Sequence, residues 1–200
     1  MKGSLVIVGF FVLGVICGLT GIFRIDSTSF DLSYVALIGL ILCVGMSIGN
    51  DLSIFGRLRS LSKLLLLLPA FTIVGTIIAV AVLAIFMPGR SLTDLLAVGS
   101  GFAYYSLSSI FITEYKGPEL GTVALMANIL RELLTLLAAP ILYRLFGPLA
   151  PISSGGATTM DTTLPAVIST SGKEFVVLSI YHGITVDFCV PLLVTFFCRI

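Results

Sequence analysis

Charged residues are scarce in this 200-residue sequence. Asp, Glu, Lys and Arg together make up 10% of it, whereas hydrophobic residues make up 58%. Soluble domains carry about 25% charged residues, so this chain has too little polar surface to coat a water-soluble globule. The composition therefore predicts an integral membrane protein, with the lipid bilayer as its main solvent.

The chain also lacks a strong net charge and a set of metal ligands. Its formal charge is +1, which gives no basic field to attract nucleic acid. Histidine occurs once, and the four cysteines are widely spaced inside apolar runs without metal-ligand spacing. We interpret the cysteines as small packing residues and expect no metal, no cofactor and no nucleic-acid partner.

Long apolar runs dominate the first half. Three of them are close to the roughly 20 residues that cross a bilayer, namely residues 4–23, 33–49 and 64–87. Lys2 precedes the first run, but that run is too long for the apolar core of a signal peptide. The loop after the second run carries Arg57, Arg59 and Lys63. Short basic loops stay in the cytoplasm, so we predict three crossing helices in residues 1–94 and a cytoplasmic N-terminus.

Polar interruptions distinguish the second half. Two stretches rich in glycine and hydroxyl groups, GSGFAYYSLSS (99–109) and GGATTMDTTLP (155–165), lie within apolar sequence. Unpaired backbone groups are not tolerated in lipid, so irregular chain at membrane depth must be enclosed by protein or line a cavity. We predict a transport core over residues 95–200, with two broken or re-entrant segments (95–118 and 153–172) and two polar-centred helices (119–143 and 175–198). Ordinary external loops are the alternative.

The second half also resembles a repeat. RELLTLLAAPIL (131–142) aligns with HGITVDFCVPLL (182–193) at an offset of 51, which places Arg131 on His182 and Pro140 on Pro191. Paired interruptions in corresponding halves are the best sequence indication of a transporter binding site. The fold class predicted is thus an all-α polytopic bundle with an inverted repeat. Chance similarity between apolar segments is the alternative.

Polar side chains form a stripe along the first of the two polar-centred helices. Asn128, Arg131, Glu132 and Thr135 are spaced i, i+3, i+4 and i+7, so they share one face. A charge at the centre of a membrane helix costs about 2.5–3.5 kcal/mol even on the gentlest scale. The stripe therefore predicts an aqueous path inside the bundle, although a structural salt bridge would explain Arg131 or Glu132 alone.

Four motifs resemble one known family. GSGFAYYSLSSIFITEYKGPELG, ANILRELLTLLAAP, GGATTMDTTLP and YHGITVDFCVP are similar to the corresponding parts of the lysine exporter family LysO, and the likeness covers essentially the whole chain. The resemblance implies export of L-lysine and lysine analogues across the inner (plasma) membrane in exchange for protons. The residues nominated for substrate binding and proton coupling are Ser106, Glu114, Asn128, Arg131, Glu132, Asp161, Thr162 and His182. Asp187 lies within the last of these stretches, but the resemblance nominates no role for it, so its role stays open.

The commoner single-chain members of that family are about half as long again, with additional N-terminal helices. Other members are split into a short and a long protein, and this chain resembles the long one. A homodimer or a short companion membrane subunit is therefore an expected partner. The second reading, after the exporter itself, is an accessory subunit that completes a partner's transporter. A membrane-embedded hydrolase with Asp161 and Asp187 as a dyad is a more remote alternative, since no HExxH motif is present.

A lysine substrate fits the acidic residues of the second half. Lysine has two ammonium groups and one carboxylate, and Glu114, Glu132 and Asp161 offer acceptors while Arg131 offers an anion partner. Export of a cation against an inside-negative potential costs about 2.3 kcal/mol per charge per 100 mV. A carboxylate that exchanges a proton for an ammonium group would supply the coupling. In the predicted topology Lys116 lies outside the cell and Lys173 inside.

Overall fold

The computed structural model describes residues 63–87 and 89–200, together with the isolated positions 12, 13, 16, 17, 19, 20, 42 and 46. The predicted crossings over 4–23 and 33–49 therefore lie mainly outside the described residues. Within the described part there are eight α-helices and no β-strand, as the all-α prediction requires. They are α1 (Lys63–Leu66), α2 (Leu68–Ala84), α3 (Leu92–Gly99), α4 (Tyr105–Lys116), α5 (Pro118–Phe146), α6 (Ala150–Gly155), α7 (Leu164–Ser171) and α8 (Val176–Arg199). Short 3-10 helices, Gly156–Met160 and Lys173–Phe175, precede α7 and α8.

Proline and glycine set many of the helix ends. A proline occupies the first turn of α2, α5, α6 and α7, where its missing N–H removes no helical hydrogen bond. Glycines with positive φ follow the last residues of α4 and α5, at Gly117 (93°) and Gly147 (85°). A left-handed residue at this position is the usual end of a helix.

Two helical stretches are long and apolar enough to cross a membrane. They are Pro118–Phe146, with a mean hydropathy of 1.6, and Lys173–Arg199, with a mean hydropathy of 1.7. The outer faces of α2, α5 and α8 carry large apolar side chains, among them Phe71, Leu134 and Phe188, which are 58%, 62% and 76% exposed. In a membrane protein these faces meet lipid. The described part therefore agrees with a helical membrane protein.

Both predicted interruptions coincide with breaks between helices. Residues 100–104 separate α3 from α4, and within them Phe102 and Ala103 have φ values of 44° and 70°. Positive φ is uncommon outside glycine. The second break comprises the 3-10 helix Gly156–Met160 and residues 161–163. We call these two breaks the first tip and the second tip.

The core packs the first tip against α8. Phe102, Ile112, Val186 and Val190 are buried together in its larger cluster, and a smaller cluster of Leu68, Ile152, Val167 and Leu178 joins α2, α6, α7 and α8. Apolar packing thus holds both tips between the two long helices.

Candidate functional site

The two tips contact each other directly through their backbones. The Ala157 N–H donates to the Phe102 carbonyl at 2.9 Å. Gly156 has a φ of 62°, and a Cβ at this position would collide with the same carbonyl, so only glycine lets the tips approach this closely. The site is therefore built around the meeting point of the two broken segments.

Asn128 of α5 pairs the backbone of the first tip. Its Oδ1 accepts from the Ala103 N–H at 2.8 Å, and its Nδ2 donates to the Val98 carbonyl at 3.2 Å. The side chain is 3% exposed. Breaking a helix leaves N–H and C=O groups without their usual partners, and Asn128 supplies one acceptor and one donor for them.

Arg131 lies one turn further along α5 and reaches the second broken segment. Its Nε donates to the Ser154 carbonyl at 2.9 Å and its Nη2 to the Ser153 carbonyl at 3.1 Å. Its guanidinium carbon lies 5.4 Å from the centre of the Phe102 ring, within cation–π range. Arg131 thus touches the second broken segment and the first tip.

His182 of α8 is fully buried, at 0% exposure. Its Nε2 lies 2.9 Å from the Thr72 hydroxyl of α2, and its Nδ1 lies 3.2 Å from the Thr159 hydroxyl of the second tip. The Thr159 hydroxyl also donates to the Ser179 carbonyl at 3.0 Å. The single histidine therefore joins α8 to both α2 and the second tip.

Three acidic side chains gather beside the tips. Asp161 of the second tip lies close enough to Glu132 of α5 and to Asp187 of α8 for their charges to interact. Tyr104 and Tyr105, at the first tip and the start of α4, interact electrostatically with the same acids. We call Glu132, Asp161 and Asp187 the acidic trio.

The acidic trio has acceptor capacity to spare. Asp161 Oδ1 accepts from the Thr162 N–H at 2.5 Å. The Thr162 hydroxyl faces the carboxyls of Glu132 and Asp161, but its buried oxygen has no partner at hydrogen-bond geometry among the described residues. Asp187 Oδ1 is likewise buried without such a partner among them. No group of three or more His, Cys, Asp or Glu side chains in the described part could hold a metal ion, so the trio is spread more widely than the ligands of one metal.

The residues nominated from the sequence thus fall into three sets. Glu132 and Asp161 belong to the acidic trio, and Thr162 lies beside them. Asn128, Arg131 and His182 instead connect neighbouring elements through hydrogen bonds. Ser106 and Glu114 are exposed on α4. Glu114 is nine residues after Tyr105, about 14 Å along the helix at 1.5 Å per residue. The structure adds Asp187, Tyr104 and Tyr105, which were not nominated.

Comparison with known proteins gives consistent matches. Residues 8–198 match the family model described as "Lysine exporter LysO". The lysine exporter LysO of Escherichia coli (strain K12) is 32% identical over 194 residues, which cover 97% of this chain and 64% of that protein. A Haemophilus influenzae protein named "Putative lysine exporter" is 34% identical over 161 residues, 80% of this chain and 81% of that protein.

The chain thus spans 64% of the length of the Escherichia coli relative. No solved structure matches it. The family description is that of a transporter, which agrees with the prediction of a transport protein and not with the hydrolase alternative. Since the family model covers nearly all of the sequence, this chain belongs to the lysine exporter LysO family.

Proposed function

We propose that this chain exports L-lysine across the inner membrane in exchange for protons, at the meeting point of the two tips. The observation that carries the proposal is the acidic trio, which brings carboxyls from α5, the second tip and α8 beside the break in the helices. Lysine analogues with the same ammonium groups are expected substrates too. The relatives named as lysine exporters support the choice of substrate.

The chemistry of the trio suits an ammonium group. A buried acceptor without a partner costs about 1–3 kcal/mol, and Asp187 Oδ1 is in this position among the described residues. An ammonium group brings three N–H donors and a positive charge. Bound between Asp161 and Asp187, it would pair these acceptors through charge-assisted hydrogen bonds, which are stronger than neutral ones.

Coupling to protons follows from the closeness of the acids. Interacting carboxyls in a partly desolvated site resist full ionisation unless a positive charge compensates them. Either a proton or an ammonium group supplies that charge, and the two exclude each other. Proton entry would then accompany lysine release, which offsets the work of moving a cation outward against the membrane potential.

The arrangement of the broken segments supports alternating access. Lys116 at the end of α4 lies 3.3 Å from Asp94 at the start of α3, so this segment returns to the end from which it starts. Ser171 at the end of α7 donates to the Pro148 carbonyl just before α6 at 2.8 Å, so the second segment does the same. These contacts support two re-entrant units.

The two units start from opposite ends of the bundle. Helix α5 joins them and has 29 residues, about 44 Å at 1.5 Å per residue. Helix α8 returns to the first end, where Arg199 contacts the Tyr115 hydroxyl at 3.3 Å. This geometry supports an inverted repeat, in which a central site opens alternately to each side.

An accessory role is the second candidate, and the length comparison favours keeping it. Because the chain spans 64% of the Escherichia coli protein, a short companion subunit would supply what that protein has in addition. In this case the acidic trio would form one wall of a site shared with the companion. A homodimer is the corresponding arrangement without a companion.

Counterflow of labelled lysine into proteoliposomes that contain only this chain tests the proposal. We expect exchange by the natural sequence, and we expect Asp161→Asn to raise the apparent Kd for lysine at least tenfold, about 1.4 kcal/mol. Glu174→Gln, which changes an exposed acid before α8, is the matched control and should leave the Kd unchanged. Equal affinity in Asp161→Asn would remove the acidic trio from substrate binding. Counterflow that appears only with a companion protein would favour the accessory role.

A further inference from the structure

We infer that Arg131 is a positioning residue that fixes the two tips against each other and does not bind the substrate carboxylate. The inference rests on the proposed lysine site and deepens it. The sequence alone offers Arg131 as the natural anion partner of an amino acid. The contacts of its side chain indicate a different task.

The evidence begins with the end of α6. This helix stops at Gly155, so the carbonyls of Ser153, Ser154 and Gly155 lose their helical donors. The Gly156 N–H donates to the Ile152 carbonyl, and the Thr158 hydroxyl donates to the Gly155 carbonyl at 2.9 Å. The two carbonyls between them, of Ser153 and Ser154, accept from Arg131. All three carbonyls are thereby paired, two of them by this one side chain.

The end of α6 also stabilises the positive charge of Arg131. A helix C-terminus carries a partial negative charge, which a nearby cation stabilises. Within the described part of the chain Arg131 forms no ion pair with a carboxylate. Its neighbour Glu132 instead interacts with Thr162 and Asp161. Adjacent residues of α5 therefore have separate roles, Arg131 at the end of α6 and Glu132 in the acidic trio.

The remaining contacts of Arg131 extend to the first tip and to α2. Its guanidinium packs over the Phe102 ring at 5.4 Å, and Phe102 provides the carbonyl that accepts from Ala157. Its Nη1 lies 3.5 Å from the Thr76 hydroxyl of α2. These contacts use three of the five N–H donors of Arg131. A substrate carboxylate that bound side-on to the Nε–Nη2 edge would have to displace the Ser153 and Ser154 carbonyls. The structure thus assigns these donors to the protein itself.

Transport kinetics with two substrates test this assignment. The full chain in proteoliposomes would be assayed with L-lysine and with L-lysinamide, in which a neutral amide replaces the carboxylate. We expect Arg131→Gln to lower kcat/KM about tenfold for both, leaving the ratio of their KM values within twofold of that of the natural chain. Arg131→Lys should restore part of the loss, and Arg90→Gln, at the bundle end, is the matched control. The inference would be overturned if only lysine were affected, so that the KM for lysine rose tenfold relative to the KM for lysinamide.

Hydrogen exchange without substrate keeps the test independent of the proposed function. If the natural chain moved no lysine, the proposed function would fail, but the positioning role would still predict a local effect. We expect amide exchange over Gly156–Met160 to become at least tenfold faster in Arg131→Gln, with little change in α8 and in Arg90→Gln. Unchanged exchange at the second tip would overturn the inference. So would faster exchange throughout the chain in both Arg131 variants, because Arg131 would then stabilise the fold in general.

Discussion

Polar residues inside this bundle divide into those that pair the protein's own backbone and those that keep free capacity. Asn128 and Arg131 use their donors on carbonyls of the broken segments, and His182 uses both ring nitrogens on threonine hydroxyls. Glu132 is different because it faces another carboxyl and a hydroxyl. A carboxyl beside another carboxyl is a good candidate for carrying a proton, because the two negative charges repel each other.

We therefore expect Glu132→Gln to separate exchange from net transport. Counterflow moves one lysine against another and needs no proton, so it should continue in this variant. Net lysine movement driven by a pH gradient should fall at least tenfold, because the glutamine amide cannot release a proton. Both rates can be measured on the same proteoliposomes, with Glu174→Gln as the control. Gradient-driven transport at the natural rate would exclude Glu132 from the coupling.

The sequence predicts only part of the site, and single residues show why. Glu132 and Asp161 were found because a helix stripe and a polar interruption mark them. Asp187 is five residues after His182, about 140° further round α8 at 100° per residue, so it does not share a face with His182. Its closeness to Asp161 depends on how α8 packs against the second tip. Helix periodicity gives no information about that packing. The role of Glu114 stays a prediction.

At the scale of elements, the breaks were predictable but their partners were not. Glycine and hydroxyl-rich interruptions located both tips, and the long helices coincide with the predicted polar-centred segments. From the sequence, α2 belongs to the three predicted crossings of residues 1–94 and not to the transport core. Yet Thr72 and Thr76, one turn apart on α2, contact His182 and Arg131. Such contacts depend on tertiary packing, and neither threonine stands out in an apolar run.

The close approach of α8 to the second tip gives a test of that packing. A Cβ on Gly183 of α8 would lie 2.6 Å from the Met160 nitrogen and 2.9 Å from the Ala157 carbonyl oxygen. Gly183→Ala should therefore push the second tip away and destabilise the protein by about 1–3 kcal/mol, the usual cost of overpacking. A lower unfolding midpoint in detergent would record the loss. Gly75→Ala is the control, since no described atom lies within 4 Å of its added Cβ. Equal midpoints for both variants would contradict the packing.

At the scale of the whole molecule, the charged ends of the bundle define its orientation. One end carries Arg90 with Glu119 and Asp94 with Lys116. The other end carries Lys173, which begins the short 3-10 helix before α8. Basic loops favour the cytoplasm, and the sequence before α1 contains Arg57 and Arg59. This bias predicts that Lys116 lies outside the cell and Lys173 within.

Single cysteines at these two positions test the orientation together with the inverted repeat. Lys116→Cys and Lys173→Cys would each be made in a chain without its four native cysteines and expressed in intact cells. We expect an impermeant thiol reagent to label residue 116 from outside, and residue 173 only after the membrane is opened. If both segments are re-entrant, α5 alone separates the two labels, and they must lie on opposite faces. Labelling of both positions from one face would show that one of the broken segments crosses the membrane, and the inverted repeat would then be wrong. Labelling on opposite faces but in the reverse sense would keep the repeat and invert only the predicted orientation.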